Sequence, residues 1–143
     1  MNEELRSFED LKGHTLAFVE VSKNKEVMTF TVHINEDQYA QYRLIGEEDY
    51  YGRCAELIDV VGDLDDLIDS PILMSEVATN ESPVRNGYSH STWTFYKLAT
   101  LNGYVTLRWC GSNDGWYSRA VSWEYLWTLT EEEFIRKQLG WNK

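Results

Sequence analysis

Two runs of alternating side chains meet at Asn102-Gly103, and this arrangement constrains the fold more than anything else in the chain. Thr92-Trp-Thr-Phe-Tyr-Lys-Leu-Ala-Thr100 and Tyr104-Val-Thr-Leu-Arg-Trp-Cys110 are rich in β-branched and aromatic residues. Asn-Gly between two such runs predicts a two-residue hairpin turn, because both residues tolerate φ > 0. Asn113-Asp114-Gly115 repeats the device ahead of 117–125, so 92–125 reads as a three-stranded antiparallel meander. That turn pairs Leu101 with Tyr104, Leu98 with Leu107 and Lys97 with Arg108. Side chains alternate along a strand, so Tyr96, Leu98, Leu107 and Trp109 face the core. Trp93, Phe95, Lys97, Arg108 and Cys110 face the other way, and the third strand adds Arg119 opposite Cys110.

Upstream, the period is also two. Residues 16–21 and 27–34 read as strands joined by a turn at 22–25, with Met28, Phe30, Val32 and Ile34 inward. A third strand, 39–45, follows the polar turn 35–38. Ser7 opens a short N-terminal helix that Gly13 stops; Asp10 returns its capping bond, and Leu5, Phe8 and Leu11 form its buried side. Residues 54–61 fit two periods. Cys54, Leu57, Ile58 and Val61 have helical spacing, whereas the β-branched end 58–61 favours a strand, which is the reading preferred. Gly62 breaks that segment. Asp63 then caps a helix at 64–68, with Asp65 and Asp66 near its positive end. Pro71 starts a strand at 72–79, and 80–88, with Pro83 and Asn86-Gly87, reads as a loop. Thr130 and Glu133 form a capping box for a C-terminal helix that Gly140 ends, with Trp141 as its apolar lid. The fold expected is α+β: mostly antiparallel sheet, curled toward a barrel or a sandwich, with short N-terminal, central and C-terminal helices. With 143 residues, a chain of this length is expected to form one domain and to bury roughly 68–70% of its unfolded surface.

Charge is sorted along the chain. Residues 36–81 hold thirteen carboxylates against Arg43 and Arg53, a charge of −11 that equals the net charge of the whole protein. Residues 82–130 carry +2, from Arg85, Lys97, Arg108 and Arg119 against Asp114 and Glu124. An acidic face of this kind repels nucleic acid and membrane surfaces and attracts basic partners. Apolar residues make up 43%, including six Trp, nine Tyr and five Phe, which places the chain above the composition of disordered proteins. No apolar run reaches the length of a membrane span, and the start Met-Asn-Glu-Glu lacks the apolar region of a signal peptide. A cytosolic protein is expected, with Cys54 and Cys110 as buried thiols.

Three strings carry a resemblance: Gly62-Asp-Leu-Asp-Asp-Leu-Ile-Asp-Ser-Pro-Ile-Leu-Met74, Thr92-Trp-Thr-Phe-Tyr-Lys-Leu-Ala-Thr100 and Gly103-Tyr-Val-Thr-Leu-Arg-Trp-Cys-Gly-Ser112. They resemble an uncharacterised family found in bacteriophage and bacterial genomes, over about residues 8–123. The resemblance implies a compact β-rich domain, often phage-borne, and brings no activity and no catalytic residues. The C-terminal helix lies outside it.

No catalytic constellation stands out, so a non-enzymatic protein without a cofactor is expected. Asp63, Asp65, Asp66 and Asp69 have apolar residues interleaved and no central glycine, so a helix cap explains them better than a calcium loop. His14, His33 and His90 read as structural, and Cys110 lacks a base beside it. The leading expectation is a phage-type accessory or inhibitor protein. It would bind a protein partner with a basic surface, in an anti-defence or nucleic-acid-mimic role, without contacting nucleic acid or membrane. The partner-binding residues would be Glu47, Glu48, Asp49, Glu56, Asp59, Asp63, Asp65, Asp66 and Asp69. The alternative is a small-anion or nucleotide module on Trp93, Phe95, Lys97, Arg108 and Arg119, in which Lys97 beside Arg108 invites an anion unless internal acids neutralise the pair.

Overall fold

The computed structural model describes residues 5–46, 55–83, 90–113 and 121–139; of 80–83, 90–92, 112–113 and 138 only the backbone is described. The first element of the described residues is a 3-10 helix, η1 (Phe8–Leu11). The Asp10 carboxylate accepts from the backbone N–H groups of Arg6 and Ser7 at 2.9 and 3.1 Å, satisfying donors that the helix start would leave bare. Strands β1 (Leu16–Val21), β2 (Val27–Asn35) and β3 (Gln38–Gly46) then run antiparallel in sequence order. Met28, Phe30 and Val32 are fully buried on one face of β2, as period two requires. At Gly46 the chain leaves this sheet beside the backbone of Ala55. A Cβ at Gly46 would overlap the Ala55 carbonyl oxygen, so only glycine allows the approach.

Strand β4 (Glu56–Val61) resolves the two-period segment in favour of the strand. Gly62 turns at φ +109 against the Tyr104 carbonyl, and Asp63 accepts from Asp65 N–H at 2.9 Å to cap a 3-10 helix, η2 (Leu64–Leu67). Strands β5 (Met74–Pro83), β6 (His90–Thr100), β7 (Gly103–Asn113) and β8 (Val121–Thr130) follow. The chain then enters helix α1 (Glu131–Gln138) through the expected capping box of Thr130 and Glu133. Gly140 and Trp141, assigned to its far end, lie outside the described residues. Two open four-stranded antiparallel sheets result, ordered β1-β2-β3-β8 and β4-β7-β6-β5. Among the described residues, no helix is long and apolar enough to cross a membrane.

The meander expected over 92–125 does not form. β6 and β7 make the hairpin, but β7 gives its other edge to β4, and β8 pairs with β3 of the other sheet. Packing decides this. β8 places Trp123 stacked on Tyr42 at 5.1 Å and edge-on to Phe8 at 5.9 Å, and Glu124 opposite Arg43. The hairpin register also moves by two residues: Thr100 pairs with Gly103, Lys97 with Thr106 and Phe95 with Arg108. The turn is therefore Leu101-Asn102, and neither Asn102 nor Gly103 takes positive φ. Docking of η2 supplies the reason. Thr100 Oγ1 donates to the Asp66 carbonyl at 2.5 Å and accepts from Asn102 N–H at 3.1 Å, and Asn102 Nδ2 donates to Ser70 Oγ at 2.9 Å. Gly103 lies where a Cβ would crowd the Asp66 side chain. A shift of two keeps every side chain on its face, so the inward set is as expected: Tyr96, Leu98, Leu107 and Trp109 are buried. Of the loop expected at 80–88, residues 80–83 belong to β5, which stays paired with β6 as far as Pro83 opposite His90, and 84–88 lie outside the described residues. The strand expected from residue 72 starts at Met74 instead.

Buried residues of both sheets belong to one apolar cluster, and η1 joins them. The Phe8 ring lies 4.8 Å from Tyr96 on β6 and 6.1 Å from Phe30 on β2. Tyr42 Oη accepts from Leu5 N–H at 3.0 Å and Trp123 Nε1 donates to Leu5 O at 2.8 Å, holding the residue before the helix. Trp109 Nε1 is buried without an acceptor among the described residues, an offsetting cost of about 1–3 kcal/mol.

Phe8→Ala is expected to cost about 3–5 kcal/mol, because it empties the contact shared by both sheets; denaturant unfolding monitored by tryptophan fluorescence measures it. Gly46→Ala is expected to lower the melting temperature, because the clash is with backbone; an unchanged Tm would contradict the close approach at Ala55.

Candidate functional site

The acidic stretch divides between two places. On β4, Glu56 and Asp59 sit at an edge of the second sheet, and Asp59 is tied to Arg108 at 3.1 Å. Asp63, Asp65, Asp66 and Asp69 belong to η2 and its flanks. Asp63 is used as the cap, and Asp66 is half-buried against Gly103. Asp65 and Asp69 are exposed. Among the described residues, no Lys or Arg forms an ion pair with Glu56, Asp63, Asp65, Asp66 or Asp69. Glu47, Glu48 and Asp49 lie outside the described residues.

Asp69 takes the left-handed conformation, φ +63, which Asp tolerates better than most residues. Its N–H donates to Leu16 O at 2.8 Å and its carboxylate reaches His33 Nε2 at 3.7 Å. His33 leans on Tyr39, ring centroids 4.9 Å apart, and Tyr39 stacks on Phe134 of α1 at 4.6 Å. The N–H of Glu131 donates to Asp37 O at 2.8 Å, pinning the acidic start of α1 to the β2–β3 turn. Segments distant in sequence thus converge on one end of the first sheet. Tyr39 registers their field. Its pKa is raised above the ordinary 10.0, first by burial and then by the Glu131 and Asp69 carboxylates. Glu131 extends the anionic surface beyond residue 81, and reading charge by sequence segment misses it. The capping box was the available signal, since it places three glutamates at the mouth of a helix.

The outer face of the second sheet carries Trp93, Phe95, Lys97 and Arg108, all half-buried. Trp93 and Phe95 lie parallel, centroids 6.2 Å apart, and Arg108 sits over Trp93 at 5.2 Å. Lys97 is not beside Arg108. It stands between Glu76 and Thr106, while Arg108 has Phe95 on one side and Asp59 on the other. Arg119 lies outside the described residues. Cys110 is half-buried on β7 and Cys54 is outside the described residues.

The profile of a domain of unknown function, DUF7448, matches residues 9–123, and the chain belongs to that family. The match covers every element from η1 to the start of β8 and stops before α1. No curated protein and no solved structure matches the chain significantly.

Because the pKa of Tyr39 is raised, the native state holds its proton at a pH where the unfolded chain has lost it. The associated stability is complete below pH 10 and is lost as pH rises through the folded value. Tyr39→Phe is expected to remove this component of the alkaline decline, and Glu131→Gln to bring the Tyr39 pKa down. Denaturant unfolding across about pH 9 to 11, with difference ultraviolet titration of tyrosinate, checks both.

Proposed function

We propose that the chain is a non-enzymatic binding protein that docks a basic macromolecular partner on the acidic end formed by η2, the β2–β3 turn and the first turn of α1. One observation carries the reading: Asp69, from the middle of the chain, and Glu131, from its last helix, meet at one end of the first sheet, where Asp69 reaches His33 at 3.7 Å and Glu131 N–H bonds Asp37 O at 2.8 Å, while Asp65 and Asp69 have no Lys or Arg partner among the described residues. Unneutralised carboxylates held on short capped helices steer a cationic surface and lose little order on binding. The resemblance to proteins of phage and bacterial genomes frames the role as an accessory or inhibitor protein in the host cytoplasm, presenting carboxylates where a basic groove expects phosphates. The same reading takes the chain as a single domain whose two open sheets form a sandwich about the shared cluster.

The stacked Trp93–Phe95 pair favours a second reading, a nucleotide or small-anion module on the outer face of the second sheet. Asp59 weighs against it, because it already occupies Arg108.

Host-lysate capture at low and high salt is expected to recover a basic protein whose retention falls steeply with salt. Asp65→Asn/Asp69→Asn/Glu131→Gln is expected to weaken it at least several-fold. Recovery of no partner, or of one indifferent to salt, would count against the acidic surface. A melting-temperature rise with a nucleotide at millimolar concentration would move the assignment to the second reading.

A further inference from the structure

Among the described residues, the outer edge of β1 is unpaired beyond Leu16. β1 ends the first sheet, and among the described residues only the segment after η2 pairs with its outer side. That segment shows what the edge can do. Ile68 forms a parallel bridge with Leu16, and Asp69 N–H donates to Leu16 O at 2.8 Å. The chain has begun an added strand there, but Asp69 turns it away at φ +63, and it next meets the backbone before β1, in an antiparallel bridge of Pro71 with Thr15. Beyond Leu16, the ladder predicts free backbone groups. Ser22 N–H donates to Val27 O at 2.9 Å, so strict alternation turns the amides of Phe18 and Glu20 toward β2 and those of Val19 and Val21 outward. A groove of about 410 Å³ runs beside this edge. Ala17, Phe18 and Val19 form one wall; Leu64, Asp65 and Asp69 are on the other. Its carboxylates lie at the η2 end, whereas Lys23 and Lys25 lie at the opposite end of β1, in the turn.

We infer that the outer edge of β1 binds an extended, basic peptide segment of the partner as an added strand, its cationic end meeting Asp65 and Asp69 and its apolar side chains entering the groove beside Phe18. Main-chain bonds to Val19 and Val21 supply affinity, and the carboxylates set direction and preference for Lys or Arg. This rests on the acidic-surface reading and sharpens it, since a folded basic surface could use the carboxylates without touching the edge.

The test uses the full chain and a synthetic peptide with lysines at one end followed by alternating valine and threonine. Binding is followed by fluorescence anisotropy, and amide hydrogen exchange is read by NMR. The expected result is salt-sensitive binding with new protection at Val19 and Val21. N-methylation of alternate peptide amides is expected to weaken it at least about tenfold, because it removes ladder donors and leaves charge intact. Asp65→Asn/Asp69→Asn should weaken binding, and the protected amides should stay the same at saturation; Asn keeps the left-handed backbone at residue 69. Equal binding of the N-methylated peptide without protection at Val19 and Val21 would overturn the strand proposal and leave the acidic surface standing. Absence of salt-sensitive binding by any basic peptide or partner would sink both. Protection of the same amides by dimerisation without peptide would assign the edge to a second copy of this chain.

Discussion

Phe8 is the contact on which the arrangement of the two sheets depends. It lies on a single helical turn, yet its ring meets Phe30 and Trp123 from one sheet and Tyr96 from the other. The short helix can fill that place because its start is fixed by Asp10 and by bonds from Leu5 to Tyr42 and Trp123. Apolar area removed from water at such a junction stabilises by roughly 25 cal/mol per Å², so one aromatic ring is a large share of a marginal total.

A second constraint follows from where the chain crosses between sheets. Gly46 and Ala55 bring two backbones into contact, and Gly62 and Gly103 let the central 3-10 helix sit against the β6–β7 hairpin. Once seated, that helix fixes the hairpin turn through Thr100 and Asn102, and it carries Asp69 to His33 and the edge of β1. Packing of one short helix thus sets a strand register, an acidic end and a groove together.

Much of this was legible in the residues. Period two gave the strands β1 to β3 and the inward faces of β6 and β7, and the capping residues at Ser7–Asp10, Asp63 and Thr130–Glu133 marked the three helices of the described residues. The family resemblance covered nearly the same span as the DUF7448 match, 9–123. The partner of β8 was not legible. Asn113-Asp114-Gly115 looks like a local turn, and nothing local reveals that β4 already holds the other edge of β7. The neighbours of Lys97 and Arg108 were not legible for the same reason: they share a face, but a two-residue shift of the hairpin offsets them, and β4 sets Asp59 beside Arg108.

The sequence by itself determined which residues turn inward, where helices begin and how much negative charge the molecule must display, because each depends on neighbours within a few positions. Tertiary structure alone decided which strands share a sheet, which acids stand together and which edge is unpaired among the described residues. Those outcomes depend on contacts such as Trp123 on Tyr42, Asp69 on His33 and Ile68 on Leu16. Long-range packing selects among pairings that local propensity leaves nearly equal, and the charge follows wherever packing carries it.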